Sequence, residues 1–187
     1  MIKKEIRVIG IDDSPFEKFS KGKVVVVGVV MRGGSWVDGI LSSKVDIDGS
    51  DSTKRIIDMV LNSKFRPQLR CIFLDGIAVA GFNVVNVQML HEETQIPVIV
   101  VIRKRPDMGK IAQALGNLSK TNRLRLIKKA GNIIQIGKIY VQLAGIDMEN
   151  ASKMLSVVCT RSLIPEPLRL AHLIASGMVK GESKGRA

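Results

Sequence analysis

Apolar residues fall in short, β-branched blocks, each closed by turn residues. Residues 6–12, 23–31 (almost unbroken valine) and 36–47 read as three consecutive strands. Gly39 inside the third suggests a bulged strand. The pattern then changes period. Ile56, Ile57, Val60 and Leu61 share one face of a predicted helix over 52–63. A strand at 70–75 follows, then small residues at 76–83 that read as a flexible loop. A short helix is expected at 84–93 and a strand at 97–103. Two basic helices are expected at 107–117 and 121–130, with Gly131 ending the second. A hairpin or single strand covers 132–143. Helices close the chain at about 148–158 and 166–177, and 180–187 reads as a loose tail.

Three antiparallel strands followed by alternating helices and strands predict an α/β fold. It is a mixed sheet with helices on both faces, in which parallel strands follow the antiparallel three. This is the pattern of the ribonuclease H-like architecture. With no internal repeat or low-complexity linker, residues 1–179 are expected to form a single domain. Two of the strands end on aspartate, one at Ile11-Asp12-Asp13 and the other at Leu74-Asp75-Gly76. Ligands of open α/β sheets sit beyond the carboxyl ends of strands. If these strands are neighbours, their carboxylates meet there and offer hard oxygen ligands for Mg²⁺ or Mn²⁺.

The formal net charge is +12 over 187 residues. Most of the excess is local, because residues 101–138 hold ten Lys and Arg against one Asp. Such clustering is the footprint of a polyanion, and nucleic acid is the expected partner. Arg103, Lys104, Arg105, Lys110, Arg123 and Arg125 are the candidate contacts, with Lys120 beside them. For Lys128 and Lys129 a plain solvated helix face is the better reading. Aromatic residues make up 4%, too few for a broad base-stacking platform. Phe16, Phe19, Trp36 and Phe82 are the candidates for isolated stacking. Cys71 and Cys159 sit in apolar runs and read as reduced core residues. No apolar run approaches the roughly 20 residues of a membrane span, and the N-terminus lacks a signal-type apolar region. A cytoplasmic protein is expected.

Three segments taken in order carry a resemblance. Ile9-Gly10-Ile11-Asp12 is similar to the first catalytic strand of endonuclease V. Leu74-Asp75-Gly76 resembles that family's second aspartate motif. Pro165-Glu166-Pro167-Leu168-Arg169-Leu170-Ala171-His172 resembles its Pro-Glu-Pro-x-Arg-x-Ala-Asp segment. The segments around Arg161–Pro167 and Gly181–Gly185 look like those of an archaeal family of uncharacterised proteins distantly related to endonuclease V. The resemblance implies the ribonuclease H-like fold and Mg²⁺-dependent cleavage of nucleic acid near deaminated bases, inosine above all. It implies Asp12 and Asp75 as metal carboxylates. The family's glutamate before the first long helix is replaced here by a choice of Asp46, Asp48 and Asp51, and Asp51 is preferred because it abuts the helix. The family's His-Pro-Arg loop element is absent from 76–83. Its late histidine falls on Ala144, its lysine after the fifth strand on Arg103, and Trp36 is the nearby candidate for its aromatic wedge.

Each residue also has a structural reading. Asp12-Asp13-Ser14-Pro15 and Asp75-Gly76 are turn chemistry, and Asp51 suits a helix N-cap. Glu166 and Arg169, three apart on a helix, suit a structural pair. His91 and His172 are unremarkable singly. Asp12, Asp51 and Asp75 are thus the expected metal-binding and catalytic set of a nuclease acting on RNA or DNA, with Arg103 on a phosphate. The rival reading is a non-catalytic nucleic-acid-binding protein that retains the fold.

Overall fold

The structure is a computed structural model, and it describes residues 2–17, 20–117 and 120–183. Phe19 and residues 184–187 of the expected tail lie outside the described residues. Seven strands form one mixed sheet in the order β3-β2-β1-β4-β7-β9-β8. The first three, β1 (Arg7–Asp13), β2 (Lys23–Arg32) and β3 (Trp36–Asp46), run antiparallel to their neighbours. β4 (Ile72–Asp75) and β7 (Val98–Ile102) then run parallel to β1. The hairpin of β8 (Ile134–Ile136) and β9 (Ile139–Ala144) closes the far edge, with β9 antiparallel to β7.

Both faces of the central strands are covered. Ile9, Ile11, Ile72, Leu74, Val98 and Val100 point to one face, against α1 (Ser52–Leu61) and α2 (Val87–Thr94). Val8, Phe73, Ile99 and Val101 point to the other, against α5 (Met148–Val158) and α6 (Glu166–Lys180). This two-sided burial explains why these strands read as continuous apolar runs rather than alternating ones. α6 lies unusually close to β1. A Cβ on Gly10 would stand 2.4 Å from the Leu168 nitrogen and the Pro167 carbonyl carbon, so only glycine admits the helix here.

The bulge lies in β3 at Asp38, where the register with β2 shifts between Val30 and Met31. Gly39 beside it accommodates the Phe65 ring, which a Cβ would meet at 2.5 Å. The 76–83 segment is not a flexible loop. It folds into a small hairpin of β5 (Ala78–Val79) and β6 (Asn83–Val84), turned by Ala80 and Gly81 at φ of 48° and 86°. Its small residues are needed for that turn and for burial, since Asn83 is fully buried. α3 (Met108–Asn117) and α4 (Asn122–Lys129) pack their apolar sides on this hairpin through Leu115, Ile127 and Val84. Among the described residues no helix is long and apolar enough to cross a membrane.

Candidate metal centre and nucleic-acid face

β1 and β4 are parallel neighbours, and the register pairs Ile11 with Leu74. The next residue on each strand is therefore Asp12 and Asp75, side by side at the carboxyl edge. Side-chain alternation turns both toward the face covered by α6. That helix brings His172 to the same point, with Nδ1 2.9 Å from Asp12 Oδ2. One ligand atom from each of Asp12, Asp75 and His172 lies within 4.8 Å of the others.

The electrostatics of this cluster are unfavourable without a positive charge. Asp12 is buried, and its carboxyl is pushed up to about 7 by that burial, then by the charges of Asp75 and Asp13. Asp13 is also raised, chiefly by burial, while its Oδ2 accepts from the Ala80 N–H at 2.8 Å. The buried Nε2 of His172 has no hydrogen-bond partner among the described residues. Two carboxylates and an imidazole form a donor set that fits a divalent cation, and a cation would oppose the burial and the repulsion that raise Asp12.

The other expected ligand stands apart. Asp51 Oδ1 accepts from Asn83 Nδ2 at 2.8 Å and from the Asp46 N–H at 3.1 Å, and its Oδ2 faces Arg55. Burial acts to raise this carboxyl, but the bonds from Asn83 and Asp46 hold it below the ordinary carboxylate range. Asp51 occupies the N-cap position of α1 without a side-chain capping bond. It belongs to no metal-binding cluster among the described residues, and neither do its neighbours. Asp46 pairs with Lys23. Asp48, at φ 52°, accepts from the Phe82 N–H at 2.8 Å and ties the α1 approach to the β5–β6 turn.

The basic residues divide. Arg103 donates to Asp75 Oδ2 at 2.7 Å, so its guanidinium reaches the carboxylate edge directly. Lys104, Arg105 and Arg125 are exposed, as is Lys110 beside Asp107. Arg123 turns inward and donates to the carbonyls of Phe82 and Asp48, and Lys120 joins it at the Asp48 carbonyl. Arg123 thus fastens α4 to the hairpin and to the Asp48 turn, and Lys120 fastens the segment before α4 to that turn. Arg169 grips Glu166 Oε2 through Nε and Nη2 at 2.9 and 2.7 Å.

His172 is the residue that sequence reasoning missed. The signal was its place at the end of the Pro-Glu-Pro segment, where endonuclease V carries an aspartate. Ala144, which aligned with a histidine, is buried on β9. Trp36 lies at the opposite end of the sheet from Asp12, because it pairs with Arg32 and Arg32 pairs with Arg7. It therefore does not flank the carboxylates. His91 packs its ring over Gly145 and bonds the Ile96 carbonyl. Burial pushes the Cys159 thiol up to about 12, and Cys71 higher still.

A sequence model of the family described as endonuclease dU matches residues 4–179. The chain belongs to the endonuclease dU family. A UPF0215 protein of Methanothermobacter thermautotrophicus is 49% identical over 191 residues, covering 100% of this chain and 94% of its own. A second, from Pyrococcus furiosus, is 49% identical over 97% of this chain and 96% of its own. A solved protein of unknown function from Archaeoglobus fulgidus superposes with TM-score 0.86 at 44% identity, over 92% of this chain and 97% of that one. Endonuclease V of Ciona intestinalis, solved with DNA containing an inosine, superposes with TM-score 0.60 at 19% identity, over 94% and 86% of the two chains. The chain thus shares the ribonuclease H-like fold of endonuclease V.

Proposed function

We propose that this protein is a Mg²⁺- or Mn²⁺-dependent endonuclease that hydrolyses a phosphodiester bond in nucleic acid near a deaminated base. The observation that carries this reading is the convergence of Asp12, Asp75 and His172 at the ends of adjacent parallel strands. Asp12 and Asp75 would hold the cation, and His172 would either join them or fix the Asp12 carboxylate. A divalent cation held there supplies Lewis acidity toward a phosphodiester. Arg103 would transfer its charge from Asp75 to the incoming phosphate, a short move for a half-exposed side chain. The exposed Lys104, Arg105, Lys110 and Arg125 would track the backbone with salt-sensitive affinity.

Two observations support a deaminated base as the substrate class. The family's description names dU, and the Ciona endonuclease V was solved on inosine-containing DNA. Uracil and hypoxanthine each carry a carbonyl where cytosine and adenine carry an amine. We place deoxyuridine ahead of inosine for this chain.

The test is cleavage of end-labelled oligonucleotides carrying uracil, hypoxanthine or ordinary bases, in Mg²⁺ or Mn²⁺ against EDTA. Both DNA and RNA, single- and double-stranded, belong in the panel. The expected result is metal-dependent cutting at uracil, abolished by Asp75→Asn. Salt-sensitive binding with no cutting under either metal would favour the rival reading, a fold retained for binding alone. The position of Asp51 outside the cluster favours that rival.

A further inference from the structure

A second cluster of charge gathers at the opposite end of the sheet from Asp12. At the amino end of β1, Arg7 and Arg32 both bind Asp38, the extra residue of the β3 bulge. Arg7 Nε lies 2.5 Å from Oδ2, and Arg32 Nε lies 3.1 Å from Oδ1. The Asp38 side chain is only 9% exposed. Each arginine is therefore held to Asp38 through Nε, and its terminal Nη groups have no hydrogen-bond partner among the described residues. This is a preorganised pair of forks, with the ordering entropy already offset by a buried carboxylate.

Lys3 and Arg70 complete a hollow of about 440 Å³ around the pair, with Glu5 at its rim. The Arg70 N–H bonds the Arg7 carbonyl, so β1 and the start of β4 set these two side by side. Four cations face two carboxylates, and one carboxylate is fully engaged. Counting charge along the chain concealed this patch, because its members come from three separate segments. Trp36 adjoins it, with the Arg32 guanidinium carbon 5.9 Å from its ring centroid. That ring is 62% exposed, an unusual position for the chain's one tryptophan.

We propose that this hollow is a second phosphodiester-binding site, which holds a nucleic-acid strand at a distance from the metal centre. Arg7, Arg32, Arg70 and Lys3 grip backbone phosphates, and Trp36 stacks a base. The proposal rests on the nuclease reading for its ligand class. Five residues of β1 separate Arg7 from Asp12, about 17 Å along the strand, and side-chain alternation turns the two to opposite faces of the sheet. The hollow therefore adds affinity for nucleic acid independently of the metal centre.

Trp36 makes the test direct. Titrate the protein in EDTA with dT12, following tryptophan emission and, separately, the anisotropy of labelled dT12. The expected result is a saturable emission change whose midpoint matches the anisotropy. In Arg70→Gln and in Lys3→Gln, which leave the Asp38 clasp intact, the midpoint should rise at least about threefold. The slope of log affinity against log salt should fall by about 0.7 for each cation removed. Binding by anisotropy without an emission change, or unaltered binding by both variants, would overturn the second site and leave the nuclease reading standing. An equal response to inorganic phosphate at the same phosphate concentration would overturn it too, as a free-anion site. Persistence of the dT12 response in a protein that cuts nothing with metal would overturn the catalytic reading alone.

Discussion

His172 Nδ1 lies 2.9 Å from Asp12 Oδ2 and joins α6 to the carboxyl end of β1. The contact spans 160 residues of sequence. A histidine that orients or joins a metal carboxylate typically governs affinity or activity by about 10–100-fold. His172→Ala is expected to weaken Mn²⁺ binding and cleavage within that range, as read by calorimetric titration and the oligonucleotide assay. His172→Asp places the residue of the endonuclease V segment there and should recover most of the loss. Equal behaviour of the two variants would reduce His172 to a packing residue.

The raised Asp12 carboxyl has a consequence for stability without metal. Its folded value lies near 7 and its ordinary value is 3.8. The folded state thus holds its proton more tightly than the unfolded state, and this contribution is full below about pH 4 and lost as pH rises through about 7. Metal-free protein should therefore unfold at lower denaturant as pH climbs across that window. Mn²⁺ favours the ionised carboxylate and should reverse the trend. Asp12→Asn should flatten the profile in EDTA. Denaturant midpoints at several pH values, with EDTA or Mn²⁺, check all three outcomes.

Arg103 holds Asp75 at 2.7 Å, which places it in competition with a cation for the same carboxylate. An ion pair this exposed contributes at most about 1 kcal/mol. Arg103→Ala should accordingly tighten Mn²⁺ binding by a few-fold, up to about fivefold, with little change in stability. Cleavage should fall by about 10²–10³ if the guanidinium meets charge developing on the phosphate. Opposite signs in the two measurements are the signature, and a parallel loss of both would assign Arg103 to metal-site architecture.

Asp51 should behave as a structural residue. Its removal leaves the Asn83 amide and the Asp46 N–H short of an acceptor, which costs about 1–3 kcal/mol. Asp51→Ala should lower the denaturant midpoint and leave the Mn²⁺ affinity of the Asp12–Asp75–His172 cluster within about twofold. Loss of metal binding in a folded variant would restore it to the ligand set.

The parts legible in the sequence were those written in local periodicity. The valine run of β2, the paired strand ends at Asp12 and Asp75, and the α1 face of Ile56, Ile57 and Val60 follow from spacing, although Leu61, expected on that face, is exposed. Gly39 also signalled the bulge, although the bulged residue is its neighbour Asp38. The missed features depend on chain-distant meetings. Nothing local marks His172 as facing Asp12, because that contact requires α6 to descend onto Gly10. Asp51 looked like a ligand because it abuts a helix, and only the folded β5–β6 hairpin reveals that Asn83 engages it. Arg123 read as part of a charged surface, yet the turn carbonyls it grips exist only after Ala80 and Gly81 fold back. The Arg7–Asp38–Arg32 clasp escaped for the same reason.

Gly10 is the position where this long-range order is most exposed to a single substitution. A Cβ there would stand 2.4 Å from backbone atoms of Pro167 and Leu168, and backbone cannot yield as a side chain can. Gly10→Ala must push α6 off β1, an overpacking cost of about 1–3 kcal/mol or more. Because α6 carries His172, the same displacement should also withdraw the imidazole from Asp12 and weaken Mn²⁺ binding. Gly28→Ala is the matched control. Its Cβ would meet chiefly the Ile9 Cδ1 at 2.8 Å, on the opposite face of the sheet, where a side chain can rotate away. It should cost less stability and leave Mn²⁺ affinity unchanged. Denaturation and metal titration of the two variants separate the effects. If Gly10→Ala loses stability but keeps metal affinity, His172 is not needed to hold the ion.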